Sequence, residues 1–238
     1  MVLVQTTVAN AILAGLAPAD FASLQPHLSR VDMPVRRHLE IRSRAIEHVY
    51  FLESGLASMV VSAGVQHSIE VGIIGSEGMT GLPILMGTDR GVYETFIQTA
   101  GSAWRIAADP FRAAMEKHSA LRGRFLNYAQ VLMTQMAFTA LANGRYKIEE
   151  RLARWLLMAD DRSEGNTIHL THEFLAVMLG SRRAGVTAAL NHFQKRGVLK
   201  MQRGMITITN RGTLEEAANG SYGAPEAEYR RLFGNEIG

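Results

Sequence analysis

Arg182 and Arg183 open a short segment in which Thr187, Asn191 and Lys195 lie away from an apolar stripe of Val186, Leu190 and Phe193. Such a set can read a DNA duplex. An arginine in the first turn of a helix can take guanine O6 and N7 with two parallel hydrogen bonds, and an asparagine can do the same for adenine. A lysine further along offers a point charge to phosphate. The residues just upstream complete a pattern: Thr171 suits an N-cap, and Glu173 sits in the first turn, at the positive end of the helix dipole. Leu175, Met178 and Leu179 are spaced to face inward, and Gly180 supplies the left-handed residue that ends this helix. Ser181 is expected to cap the next one. Two short helices joined by a glycine-containing turn make a helix-turn-helix, whose second helix enters the major groove by its N-terminal residues. Val198-Leu199-Lys200-Met201 and Met205–Ile208 then flank Gln202-Arg203-Gly204 as a small hairpin, a wing that would bring Arg203 to phosphate or to a minor groove. The predicted DNA-contacting residues are Thr171, His172, Arg182, Arg183, Thr187, Asn191, Lys195 and Arg203.

Other chemistries find less support. The run Gly75-Ser76-Glu77-Gly78-Met79-Thr80-Gly81 invites a phosphate-cradle reading, but the G-x-G-x-x-G spacing is not met and no Gly-Lys-Ser/Thr follows. It is read as turns between strands. His169 and His172 straddle a strand and a helix start with no third ligand nearby in sequence, so no metal site is predicted. The chain has no cysteine, which excludes thiolate zinc, iron–sulfur clusters, disulfides and cysteine nucleophiles. No Ser/His/Asp arrangement is readable, and the protein is not expected to be an enzyme. Two alternatives remain: a dimeric effector-binding module with a vestigial helix-turn-helix, and a small nucleotide-acting enzyme.

The elements that must position the reading helix have two textures. From Val31 to about Ala108, short β-branched and aromatic runs separated by glycines predict strands at His48–Leu52, Ala57–Ser62, Ser68–Ile74, Tyr93–Thr99 and Ser102–Ile106, an antiparallel sandwich or roll. Asp109 before Pro110 then reads as a helix N-cap. Ser119–Asn143 predicts one long helix of roughly 35 Å at ~1.5 Å per residue. Phe125, Leu132 and Met136 mark one face, while Val131, Met133, Phe138 and Leu141 cover others. A helix apolar nearly all round must be covered on two sides, which predicts a partner helix from a second subunit. Asn143-Gly144 is read as the helix break, and Lys147–Asp160 as a further helix whose Arg151 and Arg154 lie outside its apolar stripe. The mildly apolar N-terminus has no basic residue before it and predicts a short helix rather than a signal peptide.

With 238 residues, 47% hydrophobic and 20% charged, the composition is globular. The net charge of +3 is unevenly spread. Residues 144–212 hold twelve Lys and Arg against six Asp and Glu, a surplus of six, so the remainder carries a deficit of three. A basic C-terminal module on a slightly acidic body suits a polyanionic partner. No run approaches ~18 uninterrupted apolar residues, so no membrane span is expected and a cytoplasmic location is the plain reading.

The order of these elements resembles the Crp/Fnr family of bacterial regulators, over about Val31 to Arg211. The resemblance is strongest at Leu170–Leu199, where Thr171, Gly180, Ser181, Arg183 and Val186 meet the family pattern. It implies an α+β fold: an N-terminal β-roll (a cyclic-nucleotide-binding-like jelly roll), a long dimerisation helix and a C-terminal winged helix-turn-helix. The implied division is 1–143 for the sensor domain with its dimerisation helix, 144–220 for the DNA-binding domain and 221–238 for a tail. The implied function is a homodimeric transcription regulator binding double-stranded DNA, with an unknown small-molecule effector and RNA polymerase as further partners. The family's principal base-reading arginine falls on Arg183, whereas Ala184 and Ala188 replace its glutamate and second arginine, which implies a different operator. The family's nucleotide-binding Gly-Glu-Leu becomes Gly81-Leu82-Pro83, and Tyr93-Glu94-Thr95 stands where the phosphate arginine would fall; Arg90 is close but does not match the pattern. A buried cyclic phosphate without its charge partner is costly to hold, so cyclic AMP is not expected as effector and no cofactor is identified.

Overall fold

The computed structural model describes residues 3–64, 67–163, 165, 167–202, 204–234 and 237. The expected N-terminal helix is two short ones, α1 (Ala11–Ala14) and α2 (Pro18–Leu24). Asn10 caps α1 by accepting from the Leu13 N–H, and its Nδ2 donates to the carbonyls of Leu52 and Gly78. One buried amide thus ties the N-terminus to the β-roll.

The roll comprises β1 (Ser29–Met33), β2 (His38–Glu40), β3 (His48–Leu52), β4 (Leu56–Ser62), β5 (Ser68–Ile74), the one-turn helix α3 (Leu82–Leu85), β6 (Glu94–Thr99) and β7 (Gly101–Ala107). Its strands form two antiparallel sheets, β1-β7-β3 and β2-β6-β4-β5. The glycine run between β5 and α3 is indeed turn. At Gly78 an added Cβ would lie 2.2 Å from the Tyr128 hydroxyl, so only glycine lets the turn approach the long helix that closely.

Two helices close the roll, α4 (Ala108–Lys117) and α5 (Ser119–Arg145). Phe51 of β3, Phe111 of α4 and Phe125 of α5 meet with ring centroids 5.0–6.3 Å apart. Each of these rings, fully buried, contributes about 1.5–3 kcal/mol. Two boundaries differ from expectation. Asp109 is not the cap: α4 starts two residues earlier than expected, with Ala107 as N-cap, and Asp109 instead accepts from Arg112 within the first turn. Asn143-Gly144 does not break α5, which runs on through both residues to Arg145. The chain turns extended only at Tyr146.

α5 has three faces rather than two. Phe125 and Leu132 pack into the roll. Val131 packs under Tyr229 and Ile237, from the segment expected to be a tail. That segment holds α10 (Ala224–Phe233), which lies back along α5, with the Arg124 guanidinium 4.5 Å from the Phe233 ring centroid. Tyr229, Phe233 and Ile237 recur every four residues, a stripe that suits this docking. The second cover of α5 is therefore in part its own chain. The third face, with Leu126, Met133 and Leu141, stays exposed. Among the described residues no helix is long and apolar enough to cross a membrane.

The remaining elements are α6 (Ile148–Asp160), β8 (Thr167–His169), α7 (His172–Met178), α8 (Arg183–Lys195), β9 (Leu199–Gln202), β10 (Met205–Ile208) and α9 (Arg211–Ala217). They pack on the outer face of the four-stranded sheet, where Leu56, Val60 and Ile73 join one apolar cluster with Trp155, Leu156, Leu175 and Leu179. This contact also buries charge, and here the expectation for α6 fails: Arg154 is buried, donating to the carbonyls of Ser221 and Gln135, while Arg151 donates to the Leu179 carbonyl. Arg162, just past α6, donates from Nε to Glu77 at 2.7 Å with both side chains almost fully buried. The Trp155 indole donates to Glu70 at 2.5 Å.

Burial pushes the Glu70 carboxyl up to about 7, against the opposing pull of Ser58, Trp155, Arg154 and Arg162. A carboxyl that titrates higher in the folded chain than in the unfolded one favours folding when protonated. Its contribution is complete at acid pH and is lost as pH rises from about 4.5 to about 7. Urea titrations should therefore show a Glu70-dependent fall in stability of up to about 1.4 kcal/mol per pH unit across that window. In Glu70→Gln this component should vanish; identical pH profiles for the variant and the parent protein would assign the titration elsewhere.

Candidate nucleic-acid interface

Thr171 caps α7 as expected, accepting from the Phe174 N–H at 3.1 Å. Gly180 takes φ 53°, the left-handed conformation that turns the chain between α7 and α8. It also lets the turn close on the roll, since an added Cβ would lie 2.7 Å from Ile69 of β5. Ser181 does not cap the next helix. Its N–H closes the turn by donating to the Ala176 carbonyl, and Arg182 occupies the N-cap without a side-chain cap bond.

α8 is sorted cleanly by burial. Val186, Ala189, Leu190 and Phe193 are buried. Arg182, Arg183, Ala184, Ala188, Asn191 and Lys195 are exposed. Arg183, Asn191 and Lys195 thus share an accessible side of one helix, with Arg183 in its first turn. The Arg183 guanidinium lies 3.8 Å from Glu173, but both side chains are largely exposed. So loose a surface pair is worth little and leaves the guanidinium available. Thr187 is half-buried, with its hydroxyl 3.0 Å from His172 Nδ1. These two residues bridge α7 to α8. Among the described residues no group of three or more His, Asp or Glu side chains is placed to hold a metal ion.

β9 and β10 form the expected hairpin, with Gln202 opposite Met205, and β8 adds a third strand to give the order β8-β10-β9. Arg203 lies outside the described residues. Arg196, at the C-cap of α8, and Lys200 on β9 are further exposed cations. Reasoning along one helix face passed over both, because they follow the helix rather than lie on it.

The basic surplus of residues 144–212 is not all available to a polyanion. Arg211 meets Asp160 and Asp161 at 2.6 Å each and Glu215 at 3.0 Å, so its charge is spent internally, as are those of Arg154 and Arg162. Burial lowers Arg154 to about 10. Of the cations that remain exposed, Arg145 and Lys147 stand at the α5–α6 junction, while Arg182, Arg183, Lys195, Arg196 and Lys200 lie on and just after α8.

Residues 150–217 match the family model of the Crp-like helix-turn-helix domain. No match was found among curated protein sequences. Among solved structures the chain resembles a protein from Eubacterium rectale assigned to the Crp/Fnr family of transcriptional regulators, at 19% identity over 88% of this chain and 98% of that one, with a TM-score of 0.69. It also resembles FixK2 from Bradyrhizobium japonicum, at 15% identity over 80% of this chain and 96% of that one, with a TM-score of 0.70. A third is TTHB099, a CRP-family transcriptional regulator from Thermus thermophilus, at 17% identity over 82% and 99%, with a TM-score of 0.67. Identities this low speak for the shared fold, and the helix-turn-helix match speaks for the reading segment. Residues 150–217 are thus a Crp-like helix-turn-helix domain, and the chain as a whole shares the fold of these Crp/Fnr-family structures.

Proposed function

We propose that the protein reads its operator as a two-fold dimer paired along α5, with residues 1–143 as sensor and dimerisation unit and residues 144–220 as reading unit. Two copies of α8 would enter successive major grooves about 34 Å apart. The observation that carries this reading is the exposed side of α8: a long planar cation in the first turn, an amide further along and a lysine in the last turn, all opposite a buried apolar stripe. Thr171 supports it by capping α7, and His172 and Thr187 by holding α7 against α8.

Cyclic nucleotide is not the effector in this proposal. Leu82 is buried where a ribose-binding carboxylate would be needed, and Arg90 is exposed and paired with Asp89 at 3.3 Å.

The test separates base reading from general attraction to DNA. Arg183→Ala should lower operator affinity by roughly 1–3 kcal/mol and relax preference at one base pair of each half-site. Lys195→Ala should weaken all duplexes alike and reduce the salt slope by about one. Both residues are exposed, so both variants should fold. The measurement is a titration of each against operator and scrambled duplexes at several salt concentrations. An Arg183 variant that loses affinity equally for both duplexes, or loses none, would show that this arginine does not read bases.

A further inference from the structure

A cavity of about 320 Å³ lies at the seam between the β-roll and the DNA-binding domain. Val35, Arg36, Phe96 and Gln98 line it from the roll, and Leu170 and Phe174 from the residues leading into and along α7. Phe96 and Phe174 meet edge-on, with ring centroids 6.3 Å apart and planes at 85°, and form one apolar wall. The size falls at the lower end of the range for small-molecule pockets, and a mostly apolar lining with a few convergent polar groups is their usual composition.

Two donors there have no hydrogen-bond acceptor among the described residues. Gln98 is 6% exposed; its Oε1 accepts from the Ser58 hydroxyl at 2.5 Å, while its Nε2 has no hydrogen-bond partner. A buried N–H without a partner is uncommon in folded proteins and calls for an explanation. Arg36 is exposed at the edge of the same cavity, and its guanidinium makes no hydrogen bond or ion pair among the described residues. Its backbone is held at φ 69°, with its N–H donating to the Ile97 carbonyl at 2.8 Å. A non-glycine residue in this conformation is uncommon, and such strain gathers at binding sites.

We propose that this seam is a binding site for a small monocarboxylate with an aromatic or short aliphatic body. The body would fill the space between Val35, Leu170 and the two phenylalanines. The carboxylate would accept from Gln98 Nε2 and pair with the Arg36 guanidinium, the charge-assisted arrangement arginine favours. Because its walls come from both halves of the molecule, an occupant bridges the roll to α7 and favours the docked arrangement by its differential affinity for it. A consequence for operator affinity would rest on the DNA-reading proposal above; the binding itself does not.

Calorimetric titration of the full chain with benzoate, phenylacetate, hexanoate and octanoate, alongside phenylacetamide and hexanamide, tests the site without DNA. At least one carboxylate should bind with a Kd below about 1 mM and more tightly than its amide. Arg36→Gly removes the guanidinium at a backbone conformation glycine tolerates best, so loss of fold would not explain its effect. It should weaken the carboxylate about tenfold or more and the amide much less, and Gln98→Leu should weaken both. If none of the four carboxylates binds at millimolar concentration, or if both variants bind like the parent protein, the seam is not the site. Either result leaves the operator reading untouched, just as failure of Arg183→Ala to alter base preference would leave this site untouched.

Discussion

Met133→Glu is expected to convert the protein into folded monomers whose operator affinity falls by about 10²–10⁴-fold, the gain that linking two half-site contacts provides. Met133 is 44% exposed on α5, flanked on the same face by Leu126 at 42% and Leu141 at 44%. Ala137 and Ala140 lie exposed between them. Apolar residues spaced by three and four, with small residues that permit close approach, suit the proposed pairing with a second copy of the same helix. A glutamate at the centre of a two-fold seam would face its own copy and bury two like charges, which no neighbouring cation on this face offsets. The neighbouring position behaves differently. Leu132 is 2% exposed and packs into the roll of its own chain, so Leu132→Glu should unfold the protomer rather than separate two of them. Analytical ultracentrifugation and circular dichroism distinguish the two outcomes, and duplex titration reads the affinity. A Met133→Glu protein that sediments as a dimer would place the interface off this stripe.

The second large effect lies at the seam between roll and reading unit. Glu77→Gln should lower stability by about 3–5 kcal/mol, the range for removing one partner of a buried pair. Glu77 holds two donors at once, Arg162 Nε at 2.7 Å and the Gly75 N–H at 3.0 Å. Glutamine can still accept from Gly75, so the loss isolates the charge. Arg162 would then be left buried, with Nη1 donating to the Met158 carbonyl and no carboxylate on Nε. Adding Arg162→Met removes that stranded charge, and the double variant should recover a large part of the loss. Urea denaturation of the four proteins gives the coupling directly. If Glu77→Gln lowers stability by less than about 1 kcal/mol, water or a protonation change relieves Arg162, and the pair does not hold the seam.

Much of this architecture was legible before any coordinates. The strands at His48–Leu52 and Ser68–Ile74 fall where β-branched and aromatic runs separated by glycines put them, and Ala57–Ser62 differs by one residue. Local chemistry also located the reading segment: the Thr171 cap, the left-handed Gly180 and the Val186, Leu190, Phe193 stripe all depend on neighbours within a few residues. For the same reason the failures were local competitions. Ser181 lost the cap to a turn bond with Ala176, and α5 carried on through Gly144 to Arg145.

Sequence by itself determined the kind of protein: a strand-rich first half, one long helix, and a helix-turn-helix with arginine at the start of its second helix. Only the tertiary structure decided what covers what. Periodicity identifies α5 as apolar on several sides, but it cannot assign one side to the roll, one to α10 and one to solvent. Nor can charge counting separate an arginine free for phosphate from one buried against a carboxylate 85 residues away, as Arg162 is against Glu77. Helix caps and turns are settled over distances of a few residues. Burial and ion pairing depend on surfaces that meet only when the chain has folded, and those contacts set which of the cations remain for DNA.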